Sequence, residues 1–339
     1  TGWMMYYFVK FLIGQNEGLG FVNMISNPTI NVVYLAIAVV LGFGILCFNL
    51  QGGLERVTKY MMIILMILMI VLAIHSFTLP GAKEGLKFYL VPDFSKINGS
   101  VIVGAMNQAF FTLSVGMGSM AIFGSYIDKK RSLMGESANV IALDTFVAIT
   151  AGLIMFPACF TYGLEVTAGP SLLFDTMATV FNNMAGGRFW GTLFFLFMVF
   201  AAFSTELAVF ENILACVREA TGWSRPKGSL VCGVVVFCLA LTTALGYSTF
   251  SGFVPFAEGT AWLDFWDFLV STNILPIGSF IFTLFCCYKF GWGWDNFVKE
   301  ANEGEGLKVK EWMKPVFKYV VPVIILFIYI YGMVNFNWK

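Results

Sequence analysis

Apolar runs long enough to cross a bilayer follow one another along the chain, each closed by a short polar or basic segment. A span of lipid hydrocarbon needs about 20 apolar residues in helical form. On that measure the pattern predicts eight full spans, at about 30–48, 58–78, 101–124, 138–163, 189–217, 229–247, 261–290 and 316–336. They follow a partial helix at 1–13, "TGWMMYYFVKFLI", which reads as the end of an aromatic span. An amphipathic run, "AGPSLLFDTMATVF", predicts a short helix in the connection after the fourth full span, covering an outer cavity.

Charge orients the spans. Alternate connections carry Arg56 and Lys59, then Lys129, Lys130 and Arg131, then Arg218, Arg225 and Lys227, then six lysines from Lys289 to Lys318. The opposite connections hold Lys83, Lys87, Lys96 and Arg188. The richer set is cytoplasmic by the positive-inside rule.

Composition agrees. Of 339 residues, 58% are apolar and only 12% charged, half the charged share of a soluble domain. The expected class is an all-α polytopic protein of the cell membrane, one transmembrane domain over 1–339, with the bilayer as a partner. A net charge of zero gives no reason to expect nucleic acid. The seven cysteines lie in or beside apolar runs without metal-ligand spacing, and read as small core hydrophobes. His75, the single histidine, reads as an interfacial polar residue.

Three places depart from what lipid requires. The first is "FFTLSVGMGSM", residues 110–120. Gly116 and Gly118 bracket Met117 and allow the backbone to leave the helix. Unwound backbone within a bilayer is tolerated only where protein or an aqueous cavity satisfies it. Discontinuous helices of secondary transporters use such breaks to hold substrate and cations. Thr112 and Ser114 add oxygens, Phe111 and Met117 apolar walls; the competing explanation is a close-packed small-residue contact.

The second is Ala201, Ser204 and Thr205, at i, i+3 and i+4 on one helix face. Two hydroxyls and a carbonyl suit a hard cation such as Na⁺, although hydroxyls also back-bond to their own helix. The third is Asp144, an acid within a span and so a candidate for function; the bland alternative is a snorkelling or helix-end carboxylate.

Together these residues resemble the neurotransmitter:sodium symporter family, above all its bacterial amino-acid branch. The resemblance rests on "GGLERVTKYMM", "FFTLSVGMGSMAIFGSY" and "AGPSLLF…VFNNMAGGRFWGTLFFLFMVFAAFSTELAVFEN", in family order and spacing. It implies two inverted five-helix repeats with substrate and sodium midway across the membrane. It also implies that the family's first two helices and most of its third are absent here, so that the fold is N-terminally incomplete.

By the same resemblance, Phe111 is an aromatic lid over the substrate, and Ser114, Gly116 and Met117 form the substrate-facing unwound segment. Thr112 and Asp144 fall at first-sodium positions; Ala201, Ser204 and Thr205 match the second sodium's ligands. Thr205 and Val209 also face substrate, Gln108 lies near the outer gate, and the gate carboxylate is Asp267 or Asp264. The implied activity is sodium-coupled symport of a hydrophobic or aromatic L-amino acid by alternating access. Ala148, lacking a hydroxyl where chloride-dependent members have serine, makes chloride independence the expectation. No enzyme is expected. The alternatives are a non-transporting amino-acid sensor, or an incomplete subunit needing a partner chain; a homodimer is a further candidate assembly.

Overall fold

The computed structural model describes residues 1–48, 54–164, 166, 169–334 and 336. Gly52, Gly53 and Ala168 of the family-like stretches, and Asn335 of the last expected span, lie outside the described residues. Among the described residues the structure is helical, with no strand and one isolated bridge between Arg131 and Glu305.

The chain forms α1 (Gly2–Ile13), α2 (Phe21–Ile25), α3 (Pro28–Leu46), α4 (Arg56–Phe77) and α5 (Ala82–Leu90). Next come α6 (Gly99–Thr112), α7 (Ser119–Tyr126), α8 (Leu133–Thr161), α9 (Met177–Asn183), α10 (Gly187–Thr221) and α11 (Arg225–Ala244). The series ends with α12 (Trp262–Asp267), α13 (Leu275–Cys287), α14 (Trp294–Ala301) and α15 (Val321–Val334). A π-helical turn, Phe268–Ile274, joins α12 to α13, and another, Val316–Val320, leads into α15.

Seven continuous helical stretches among the described residues are long and apolar enough to cross a membrane. The eighth expected crossing, 101–124, is the pair α6 and α7, separated by six residues outside any helix. The partial helix at 1–13 and the short helix in the 171–183 run are also present. Besides the five-residue α2, the pattern missed α5 and α14. Both are shorter than ten residues and amphipathic, so hydropathy of membrane length does not reveal them.

Helix ends follow local chemistry. Asn27 caps α3, its side chain accepting from the Ile30 N–H, with Pro28 in the first turn. Gly14 and Gly222 end α1 and α10 in the left-handed conformation. Pro157 lies inside α8, where a proline removes one helix hydrogen bond.

The chain divides into two compact units. The first holds residues 1–92 and 148–253. Its centre is aromatic: Tyr7, Phe11, Phe194 and Phe195 are all fully buried. Tyr7 packs 5.1 Å from both Phe174 and Phe195, and Phe11 5.1 Å from Phe195. Within lipid the packing itself, rather than exclusion from water, favours such contacts. The 171–183 segment is tied to the start of α2, where the Phe21 N–H donates to Asp175 at 2.8 Å and the Phe21 and Phe174 rings stack. His75 lies flat on Trp190, ring centroids 3.6 Å apart, in keeping with a polar residue at a helix end.

The second unit holds residues 93–147 and 254–339. On its cytoplasmic side α14 presses Trp294 and Ala301 into a cluster with Cys287 and Val309. The following loop clasps the α7–α8 turn: the Ser132 N–H donates to Glu305, the Glu305 N–H to Lys130, and Lys129 pairs with Glu303 at 3.1 Å.

In the first unit, Arg225 at the start of α11 pairs with Glu211 of α10 and also donates to the Leu46 carbonyl that ends α3. Glu211 is buried, with a side-chain exposure of 1%. Removing one member of a buried pair strands the other, at a cost of about 3–5 kcal/mol. Arg225→Ala is expected to lower Tm in detergent sharply. The paired change Glu211→Leu with Arg225→Met is expected to lose less, because no charge is left behind. Equal losses would show that the pair is not what holds these helix ends.

Candidate functional site

The break between α6 and α7 is built by three left-handed residues in alternation. Gly116 and Gly118 have φ of 84° and 85°, and Ser114 has φ of 52°. Ser114 is the only non-glycine residue with positive φ among those described. Left-handed backbone costs an L-residue about 1–2 kcal/mol, so the segment holds strain where the helix is interrupted. The turn is closed by bonds from the Ser114 N–H to Phe111 and from the Val115 N–H to Phe110.

The break leans on α13. A Cβ added to Gly116 would collide with the Leu275 carbonyl, and one added to Gly278 would collide with the Gly116 carbonyl. The sequence reading missed Gly278 and Ser279. The small-residue pair in "LPIGSF" was the available signal, of the kind that marks close helix approach. A cavity of about 340 Å³ lies beside the break, reached by Ser114, Gly116, Ser137, Ser279 and Thr283.

Two of the expected site residues meet directly. The Thr112 hydroxyl donates to the Asp144 carboxylate at 2.8 Å, bringing the last residue of α6 against the middle of α8. Asp144 lies within α8 rather than at either of its ends. Phe111 is half-exposed beside it, and Gln108, one turn earlier, is exposed. Met117 sits in the break itself, between the two glycines.

In the first unit, Ala201, Ser204 and Thr205 share one face of α10, with Val209 one turn beyond Thr205. The Ser204 and Thr205 hydroxyls both lie against the Ala201 carbonyl, at 2.9 and 3.3 Å. This is the back-bonded arrangement, and it also gathers three oxygens within reach of one cation. A hydroxyl that rotates its proton away keeps its lone pairs for an ion.

The two gate candidates differ. Asp264 accepts from the Ala261 N–H at 2.6 Å and so completes the N-terminal turn of α12. Asp267 is exposed and accepts from the Ser271 hydroxyl at 2.7 Å, which leaves its second oxygen available.

A bundle of apolar helices, one of them broken at mid-length and flanked by hydroxyls and a carboxylate, is the architecture of a secondary transporter. The profile of the sodium:neurotransmitter symporter family matches residues 4–339, and the chain belongs to that family. It is 32% identical over 351 residues to the sodium-dependent transporter YhdH of Bacillus subtilis, covering 99% of this chain and 76% of that protein. A sodium-dependent transporter of Haemophilus influenzae is also 32% identical, over 97% of this chain and 74% of its own length. The fold matches the crystal structure of MhsT in complex with L-phenylalanine with a TM-score of 0.85 at 33% identity, over 97% of this chain and 76% of that one. The chain is thus an integral, multi-pass protein of the plasma membrane, in a family of transporters rather than of enzymes.

Gly118 isolates the conformational requirement of the break, since nothing lies within 4 Å of an added Cβ. Gly118→Ala is expected to cost about 1–2 kcal/mol through backbone strain alone. Ser114→Gly is expected to recover a comparable amount. Thermal unfolding in detergent reads both; an unchanged Tm for Gly118→Ala would mean that the break does not depend on left-handed backbone.

Proposed function

We propose that the protein couples sodium to the uptake of a hydrophobic or aromatic L-amino acid by alternating access, without a requirement for chloride. Family membership supports sodium coupling, and the L-phenylalanine bound in MhsT supports the substrate class. The observation that carries the reading is the Thr112–Asp144 hydrogen bond at 2.8 Å beside the break.

In this reading Thr112 and Asp144 supply oxygens to a first sodium, while Ala201, Ser204 and Thr205 supply oxygens to a second. Phe111, Ser114, Gly116 and Met117, with Thr205 and Val209, face the substrate. Met117 is unbranched and adaptable, so this wall accepts apolar side chains of different shape. Gln108 and Asp267 serve the outer gate; Asp264 is the weaker candidate because it caps its own helix.

Coupling follows from mutual neutralisation. A carboxylate or a sodium ion taken from water alone pays a large desolvation penalty, and each offsets the other's. Each ligand therefore raises the other's affinity by the same factor. A fixed carboxylate at Asp144 supplies the negative charge that chloride would otherwise bring, and is a candidate for carrying a proton on the return step. Uptake that remains gradient-driven separates this reading from an amino-acid sensor, which binds without accumulating.

Proteoliposomes with an inward sodium gradient and no chloride are expected to accumulate labelled L-phenylalanine. Unlabelled leucine and tryptophan should compete, and glutamate and lysine should not. Asp144→Asn combined with Ala148→Ser is expected to make uptake chloride-dependent. Strict chloride dependence of the unaltered protein, or competition by glutamate, overturns the assignment.

Ser204→Ala with Thr205→Ala is expected to leave the fold intact, because both hydroxyls bond only within α10. The sodium concentration for half-maximal uptake should rise about tenfold or more, equivalent to roughly 1.4 kcal/mol of lost ion binding. An unchanged sodium activation curve means that the hydroxyls serve their own helix and nothing else.

A further inference from the structure

A second concavity lies wholly within the first unit, between α3 and α11, and shares no residue with those assigned to transport. It encloses about 410 Å³ and is almost entirely apolar. Its floor is made of small residues, Gly44 on α3 and Gly233 and Ser229 on α11. The residues that flank it stand out from the surface: Val40 is 68% exposed, Leu230 70% and Val234 57%. Side chains this apolar and this exposed on two membrane-crossing helices face hydrocarbon.

The groove has a direction and a length. Along α3 it runs from Cys47, just past the helix end, to Ala36, and on α11 from Ser229 to Phe237. Eleven residues of α-helix rise about 16 Å. That is about half the thickness of a bilayer's hydrocarbon core. The Ser229 end is cytoplasmic, because Arg225 and Lys227 precede it by one turn or less. The groove thus starts at the cytoplasmic interface and stops near the middle of the membrane.

We propose that this groove holds one acyl chain of a phospholipid from the cytoplasmic leaflet. A helix from a second copy would cross both leaflets, whereas a tail occupies one, and the groove is one leaflet long. The cytoplasmic end also carries the only polar side chain on the floor. Ser229 is fully buried, and among the described residues its hydroxyl has no hydrogen-bond partner. Buried polar groups in hydrocarbon are ordinarily satisfied. One turn inside Arg225, this hydroxyl lies near the depth of a phospholipid's ester carbonyls, which are acceptors. The ester group sits at the Ser229 end of the groove and the tail runs inward along Gly233 and Gly44. Packing of a tail here ties the cytoplasmic ends of α3 and α11 together, beside the Arg225 bond to the Leu46 carbonyl.

The test uses the whole protein in vesicles of phosphatidylethanolamine and phosphatidylglycerol doped with a phospholipid bearing a photoreactive group along one tail. Crosslinked peptides are mapped by mass spectrometry. Labelling is expected to concentrate at 36–47 and 229–237, several-fold above the lipid-exposed positions Leu239 and Val323, which do not line the groove. Gly44→Leu should reduce groove labelling to the level at Val323, since nothing lies within 4 Å of a Cβ added at Gly44 and the leucine can extend into the space. Gly44→Ala should reduce it less. Even labelling over all exposed positions, or labelling unaffected by Gly44→Leu, overturns the proposal. Copy-to-copy crosslinking through Cys47 that Gly44→Leu abolishes would overturn it in favour of a second copy. Failure of sodium-driven uptake would not bear on this result, because the groove shares no residue with the transport site.

Discussion

A backbone amide or carbonyl that leaves its helix inside hydrocarbon has no water to bond, and each such group costs several kcal/mol if left alone. Six residues between α6 and α7 break that rule, and the second unit is built to satisfy them. The break survives because its own turn bonds close part of it and because α13 brings Gly278 and Ser279 against it. Glycine at 116 and 278 is what allows two backbones to touch. A side chain at either position would push the chains apart and expose the carbonyls again.

That constraint also explains why chemistry gathers there. A broken helix presents oriented N–H and C=O groups to any charged ligand that approaches, and neighbouring hydroxyls and carboxylates find their best use beside it. Thr112 ends α6, and its hydroxyl meets the carboxylate of Asp144 on a different helix. The pairing holds one carboxyl group at a fixed place beside the break. The second unit carries the break and the carboxylate, and the first carries the hydroxyl face of α10 on an aromatic core.

The cytoplasmic side follows a different logic. There the helix ends are held by charge and by short amphipathic elements. Arg225 bridges Glu211 and the end of α3 within the first unit, and α14 with its loop clasps the α7–α8 turn within the second. The buried Glu211 is tolerated because Arg225 pairs with it directly.

Hydropathy alone gave the all-α membrane class and the placing of the long apolar spans, because the bilayer imposes one length and one polarity on every span; the expected direction came from the basic residues. The glycine spacing in "FFTLSVGMGSM" announced the break, because left-handed backbone is written almost only in glycine. The face shared by Ala201, Ser204 and Thr205 followed from helical periodicity alone. Other features needed the third dimension. The Asp144–Thr112 contact joins residues 32 apart, and no periodicity relates them. Gly278 looked like any small residue until its distance from Gly116 was known. Asp264 and Asp267 were indistinguishable in the sequence; only the fold shows one capping α12 and the other exposed. The short helices α5 and α14, too brief for hydropathy to mark, are fixed by what they pack against. Local sequence sets which residues can leave the lipid's rules, and tertiary contact decides which partner satisfies each one.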